Sequence, residues 1–214
     1  MSLIALDASG SQAGLALLDN KGAIEGSWTV PLKPGLIETL PLLLDKAAAG
    51  RSITDIAVCI GPGSFTGLRT SIALAQGFAA GSGACLWGIS AWEAYSEALP
   101  GLDQPLWVVI RARRGRLFLL RPGGGATAFA DEALPLPAGP IVLAGAEAAL
   151  IAESLTARGA RITLAHPLLP EATHIGLAAL RHKRSGDKPA DAQPLYVDAP
   201  EAKRPGAGLR PFPV

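Results

Sequence analysis

GPGSFTGLRTSIA, residues 61–73, carries three glycines and a proline in its first seven positions, then one arginine among small and apolar residues. A glycine-rich turn that runs into a helix is a common way to hold phosphate on free backbone N–H groups. This stretch fails each specific form of that motif. A Walker A loop needs Lys and Ser/Thr directly after its last glycine, whereas Gly67 is followed by Leu68 and Arg69. A dinucleotide fingerprint needs its third glycine at position 66, which is Thr66. It also needs an acid about 20 residues on to hold a ribose, and none occurs between Asp55 and Glu93. A nucleophile elbow would flank Ser64 with glycines two residues away on each side, and Pro62 and Thr66 stand there instead. Its base would have to come from His166, His174 or His182, all distant in sequence.

What the stretch does offer is conformation. Gly61, Pro62, Gly63 and Gly67 read as loop-forming residues that turn the chain from a short apolar strand, IAVCI at 56–60, into a helix over about residues 66–80. Leu68, Ile72, Ala75 and Ala79 line one face of that helix, and Ser71, Leu74 and Phe78 line another. Arg69 is its one charge. A helix that is apolar on more than one side is buried on more than one side. One side covers its own sheet. The other meets either a second helix of the chain or another chain, and Gly67, Ser71, Gly77 and the alanines permit close backbone approach. A simple packed interior helix stays open as well.

Outward from this centre the elements alternate. LIALDAS (3–9), GLALLD (14–19) and a third run over 23–30 read as an antiparallel meander, with Asp19-Asn20-Lys21-Gly22 as a hairpin turn. Leu36, Leu40, Leu43, Leu44 and Ala47 recur with helical period, and Pro41 within that run predicts a kink. CLWGI (85–89) is a strand, and Ser90 caps a helix over 91–98 that ends at Pro100. The pattern then restarts. Strands are predicted at PLWVVIRA and RLFLLRP, joined by a turn at Arg114-Gly115, and near 127–129. After the loop of Pro135, Pro137 and Pro140 come strand PIVLAG, helix 147–157, strand ARITLA and helix 171–184. The order β-β-β-α-β-α therefore occurs twice, which predicts two similar α/β lobes: residues 1–100 and 101–184, with a Pro/Gly-rich tail over 185–214 read as coil.

Composition narrows the function. The chain has 214 residues, 49% of them hydrophobic, and a net charge of +1. That excludes wholesale disorder and gives no global electrostatic case for nucleic acid or membrane. The charge-free run 70–92 reads as a helix followed by a buried strand rather than a membrane span, because glycines break it. No signal peptide is read at the start, so the cytoplasm is the expected location. Cys59 and Cys85 both read as buried reduced thiols. The three histidines lack metal-ligand spacing and read as surface or capping residues. Arg111, Arg113, Arg114, Arg116 and Arg121 read as a solvated face, with an anion or RNA contact as the alternative. Asp7 ends the first strand before a Gly/Ser turn. It reads as a turn cap or as the metal–phosphate carboxylate of an actin-like ATPase.

GPGSFTGLR, together with LIALDAS (3–9), ARRGRLF (112–118) and PLYVDAPEAK (194–203), resembles the bacterial tRNA threonylcarbamoyladenosine biosynthesis family TsaB or YeaZ, often labelled glycoprotease-like (peptidase M22). The resemblance covers nearly the whole chain, with the four motifs in the family's order. It implies a two-lobed, actin-like (sugar kinase, Hsp70, actin) α/β fold, with mixed sheets flanked by helices and a degenerate nucleotide site at Asp7. It implies no cofactor, no metal and no catalytic residue of the chain's own. The implied role is to bind and activate TsaD, a catalytic paralogue that transfers threonylcarbamoyl to N6 of tRNA adenosine 37. TsaE, an ATPase, joins that complex, tRNA contact is indirect, and the chain alone forms a homodimer. The implied partner-facing residues are Leu36, Leu40, Leu43, Ser64, Phe65, Thr66, Arg69, Ser71, Leu74 and Phe78. A peptidase and a stand-alone actin-like ATPase are the alternatives. Two positions depart from the family pattern. Gly35-Leu36-Ile37-Glu38 replaces a His-x-Glu-Asn-like helix start, and Arg111 replaces an Asp.

Overall fold

The structure is a computed structural model that describes residues 1–31, 36–112, 115–123, 125–130, 133–166, 169–189 and 192–197, with the side chains of 36–38 left aside. The first half runs β1 (Ser2–Asp7), β2 (Gln12–Asp19), β3 (Ile24–Pro31), α1 (Leu36–Ala48), β4 (Ile53–Gly61), α2 (Phe65–Ser82), β5 (Cys85–Ser90) and α3 (Ala91–Ala98). The second half runs β6 (Leu106–Arg111), β7 (Arg116–Leu120), β8 (Thr127–Ala130), β9 (Ile141–Ala144), α4 (Ala148–Ala157), β10 (Ile162–Leu164) and α5 (Ala172–Ser185).

Each half builds a five-stranded sheet, ordered β3-β2-β1-β4-β5 and β8-β7-β6-β9-β10. Both sheets thus share one topology: an antiparallel meander whose first strand pairs in parallel with the fourth. The hairpin at Asp19 forms as its residues dictate. Gly22 takes φ +90°, and Asp19 Oδ1 accepts the N–H groups of Lys21 and Ala23 at 2.8 Å each. The repeat is incomplete in one respect. Among the described residues no α-helix joins β8 to β9, because Pro135, Pro137 and Pro140 each lack an N–H and cannot sustain a helix interior there.

The layers follow from strand alternation. Leu106 and Val108 join the large core of the first half, while Trp107 and Val109 join a separate cluster with α4. One continuous core therefore runs from α1 and α2, through the first sheet, past α3 and α5, to the inner face of the second sheet. α5 belongs to the second half in sequence but packs on β1 and β2. Gly176 makes that possible, since a Cβ there would stand 2.5 Å from Leu18 Cδ1 and 3.2 Å from Leu3 Cδ2.

Polar ties fix α5 in place. Lys183 donates to Asp55, which also accepts from Trp87 Nε1 at 2.9 Å and Thr54 Oγ1 at 2.7 Å. Burial opposes ionisation of Asp55, yet these donors hold its carboxyl below the ordinary value. Arg181 pairs with Glu97 of α3. His182 stands between Glu93 Oε1 and Asp187 Oδ2, at 2.5 and 2.7 Å. Ser90 and Glu93 form a reciprocal capping box that starts α3 and holds the Glu93 carboxylate in place.

These contacts set a pH dependence. Partial burial works against protonation of His182, but Asp187 and Glu93 outweigh it and raise its pKa above 6.5. The stability it contributes is present below pH 6.5 and is lost as pH rises through the raised value. Burial likewise opposes ionisation of Glu93, but Ser90 and His182 hold its pKa below 4.5. Its contribution is present above pH 4.5 and is lost as pH falls through the lowered value. The α3–α5 seam is therefore strongest between these limits. Melting temperature is expected to fall from pH 6 to pH 9, and His182→Gln is expected to flatten that slope. An unchanged slope in the variant would remove His182 as its source.

The site histidines divide as their surroundings dictate. His174 accepts the Glu171 N–H at 2.9 Å and so caps α5, whereas His182 bridges two elements. Cys59 is buried as expected. Cys85 is exposed, contrary to the sequence reading, because it is the first residue of β5 and its side chain falls outside the core.

Candidate protein-docking face around the glycine loop

Each glycine of the loop meets a specific neighbour. Gly61 takes φ +100°, and a Cβ on it would lie 2.8 Å from Leu68 Cδ1. A Cβ on Gly63 would strike the Ser9 carbonyl oxygen, and one on Gly67 would strike that of Ala8. The loop is thus packed directly on the turn after β1. Three of its donors are engaged within the chain: Ser64 N–H donates to Ser9 O at 2.7 Å, Gly67 N–H to Ser64 Oγ at 3.3 Å, and Leu68 N–H to Ser64 O at 2.9 Å. The loop thus spends these three donors on the chain itself, and the carbonyl oxygens of Ser9 and Ala8 press on it from the turn after β1.

Asp7 closes the same turn. Its Oδ1 accepts the Ser9 N–H at 2.8 Å. Burial pushes its carboxyl above the ordinary value, against the hydrogen bonds from Ser9 and Cys59 that favour the ionised form. Burial and the nearby Asp7 charge push the Cys59 thiol up as well. Among the described residues no group of three or more His, Cys, Asp or Glu side chains stands together to hold a metal ion.

The sequence-named surface residues separate into inward and outward sets. Ser71 is fully buried, its hydroxyl donating to Gly67 O and Leu68 O, and Leu40 is fully buried in the core. Leu43, Ser64, Leu74 and Phe78 are half-buried, and Phe65, Thr66 and Arg69 are exposed. The side chain of Leu36, like Gly35, Arg113 and Arg114, lies outside the described residues. Arg111 pairs with Glu147 at 2.6 Å, so its reversed charge finds an acid within the chain.

Thr66, Ala73, Gly77 and Ala80 form an uncharged exposed strip along α2. It is flanked on one side by Leu74 and Phe78, and α1 adds Leu42 at 71% exposure. Leu42 falls off the helical stripe of Leu40, Leu44 and Ala47 and so stands outside the core. Of the small residues proposed for close approach, Gly67 faces inward and Gly77 outward. Nothing stands within 4 Å of a Cβ built on Gly77. A mid-helix glycine destabilises by about 0.5–1 kcal/mol relative to alanine, and no contact among the described residues calls for it here. Gly77→Ala is therefore expected to raise the melting temperature of the isolated chain by about 1–4 °C, read by thermal denaturation. A fall would mean that Gly77 serves a contact inside the chain.

The segment at 192–197 lies along the other flank of α2. Gln76 Nε2 donates to Ala192 O at 3.0 Å, Leu195 N–H to Ile60 O at 2.8 Å, and Arg69 Nε to Tyr196 Oη at 2.9 Å. The Arg69 guanidinium also lies 3.8 Å from the Phe65 ring centre. Sequence reading placed this segment in a coil tail but had no signal for its contacts, which link residues more than a hundred positions apart.

Two like-ordered sheets, sharing a central helical layer and carrying a glycine loop packed on its neighbour turn, define a two-lobed α/β protein of the actin-like class. Residues 36–183 match the family described as "TsaD: tRNA N6-adenosine threonylcarbamoyltransferase". The chain belongs to that family. Within it the resemblance drawn from the four sequence segments holds. The tRNA threonylcarbamoyladenosine biosynthesis protein TsaB of Bacillus subtilis (strain 168) is 29% identical over 122 residues, 55% of this chain and 53% of the relative. Its namesake in Escherichia coli (strain K12) is 34% identical over 94 residues, 42% of this chain and 40% of the relative. The chain thus spans about half the length of the curated relatives it matches. The solved structure of YeaZ from Pseudomonas aeruginosa superposes with a TM-score of 0.69 at 25% identity, covering 91% of this chain and 99% of that one. No described helix is long and apolar enough to cross a membrane.

Proposed function

We propose that the chain is a non-catalytic subunit of tRNA threonylcarbamoyladenosine biosynthesis that binds and activates a catalytic TsaD. The observation that carries this reading is the outward face of α2. Thr66, Ala73, Gly77 and Ala80 form an exposed strip without charge, beside Leu74 and Phe78, and among the described residues nothing stands close enough to Gly77 to require a glycine. Such a face suits close approach of another helix pair. The matching family and the names of the curated relatives supply the pathway. Three loop donors spent within the chain, and Leu68-Arg69 in place of Lys and Ser/Thr after Gly67, favour a binding role over an ATPase. TsaE and tRNA enter through the complex, and in the absence of TsaD the same face pairs two copies of this chain. Reconstitution tests the reading: TsaD, TsaE, tRNA and threonylcarbamoyl-adenylate with and without this protein. Product formation is expected to depend on the chain, and equal product in its absence would refute the assignment.

A further inference from the structure

Arg69 is the sole charged residue of α2 and stands near the positive end of the helix, where the dipole gives a cation no support. It is held nonetheless. Its guanidinium stacks 3.8 Å from the Phe65 ring centre and 5.8 Å from that of Tyr196, and its Nε donates to Tyr196 Oη. Phe65 is 45% exposed and Tyr196 52% exposed, so the cluster stands open to solvent. Among the described residues Arg69 has no carboxylate partner.

A guanidinium with its flat face stacked and its Nε engaged keeps its two Nη groups for a planar acceptor, and a carboxylate fits them with two parallel hydrogen bonds. Exposed aromatic rings around an arginine are also the composition of strong interface anchors. The cluster adjoins the uncharged strip of Ala73 and Gly77 on the same helix. A protein partner that covers that strip would reach Arg69 at its edge.

We propose that Arg69, clamped by Phe65 and the C-terminal segment at Tyr196, receives an acidic side chain of the protein that docks on α2. The docking face is then a composite of α2 and residues 192–197, with an apolar middle and one cationic anchor. This rests on the partner reading under Proposed function. It adds the chemistry required of the partner: an apolar helical surface with an aspartate or glutamate opposite Arg69.

The test is calorimetric titration of the full chain with its cognate TsaD at low and at moderate salt, with tRNA binding measured in parallel. The variants are Arg69→Gln, Arg69→Lys and Tyr196→Phe, each checked for an unchanged melting curve. Arg69→Gln is expected to weaken association at least about tenfold and to reduce its salt dependence. Arg69→Lys is expected to fall between, because it keeps the charge without the fork. Tyr196→Phe keeps the ring but frees Nε, and a loss of about threefold is expected. If the wild-type chain does not bind TsaD, the partner reading itself falls and takes this inference with it. If the wild type binds and Arg69→Gln binds as tightly, with the same salt dependence, this inference alone falls. Loss of tRNA binding with unchanged TsaD affinity would overturn it in favour of a phosphate contact.

Discussion

Ala73→Glu is expected to leave the fold of the isolated chain intact and to weaken its association with TsaD by about a hundredfold or more. Ala73 is exposed at the middle of α2, and glutamate is a good helix former, so the monomer has little to lose. In a docked state the same carboxylate would either be buried unpaired against an apolar surface, which costs several kcal/mol, or pair with Arg69 one turn earlier and take that arginine from the partner. Phe78→Asp is expected to give a similar loss. Because Phe78 packs partly on the core, that variant also loses some stability, which makes Ala73→Glu the cleaner experiment. The readouts are titration calorimetry for affinity and circular dichroism for fold. Tight binding by a folded Ala73→Glu protein would move the interface off α2.

Gly67→Ala is expected to destabilise the isolated chain by about 2–3 kcal/mol, lowering its melting temperature by about 4–12 °C. The added Cβ would collide with the Ala8 carbonyl oxygen, which is backbone and cannot rotate away. Either the first turn of α2 or the turn after β1 must move, and both are tied together through Ser64 and Ser9. The contrast with Gly77→Ala is the point of the measurement. Two alanine substitutions ten residues apart on one helix are expected to shift stability in opposite directions, because one glycine faces a carbonyl and the other faces open space. Equal shifts in the two variants would contradict the packing described for the loop.

Much of this architecture can be read from the chain itself. Short continuous apolar runs mark the strands, Asp19 to Gly22 the hairpin, and Ser90 the helix start, because each depends on local chemistry. The scarcity of charge on α2 was also readable; the structure buries the face of Leu68, Ile72 and Ala75 and leaves the opposite face exposed. Which residues face which way was not readable. Ser71 and Leu40, partner-facing by the resemblance, are buried within the chain, because the period of a helix fixes relative and not absolute orientation. The coil tail was readable as coil, but the contact of Tyr196 with Arg69 depends on tertiary folding. Exposure of Cys85 turned on one residue at a strand end, below the resolution of pattern reading.

The return of α5 to the first sheet has a consequence for how the chain is made. Leu3, Ala5 and Leu18 on one face of that sheet are covered by a helix at 172–185. While a ribosome is still translating the second half, the N-terminal strands have no cover on that side. They must wait, loosely collapsed or chaperone-bound, until nearly the whole chain has emerged. A fragment ending near residue 100 would therefore aggregate rather than fold, and the two halves would melt together in one transition.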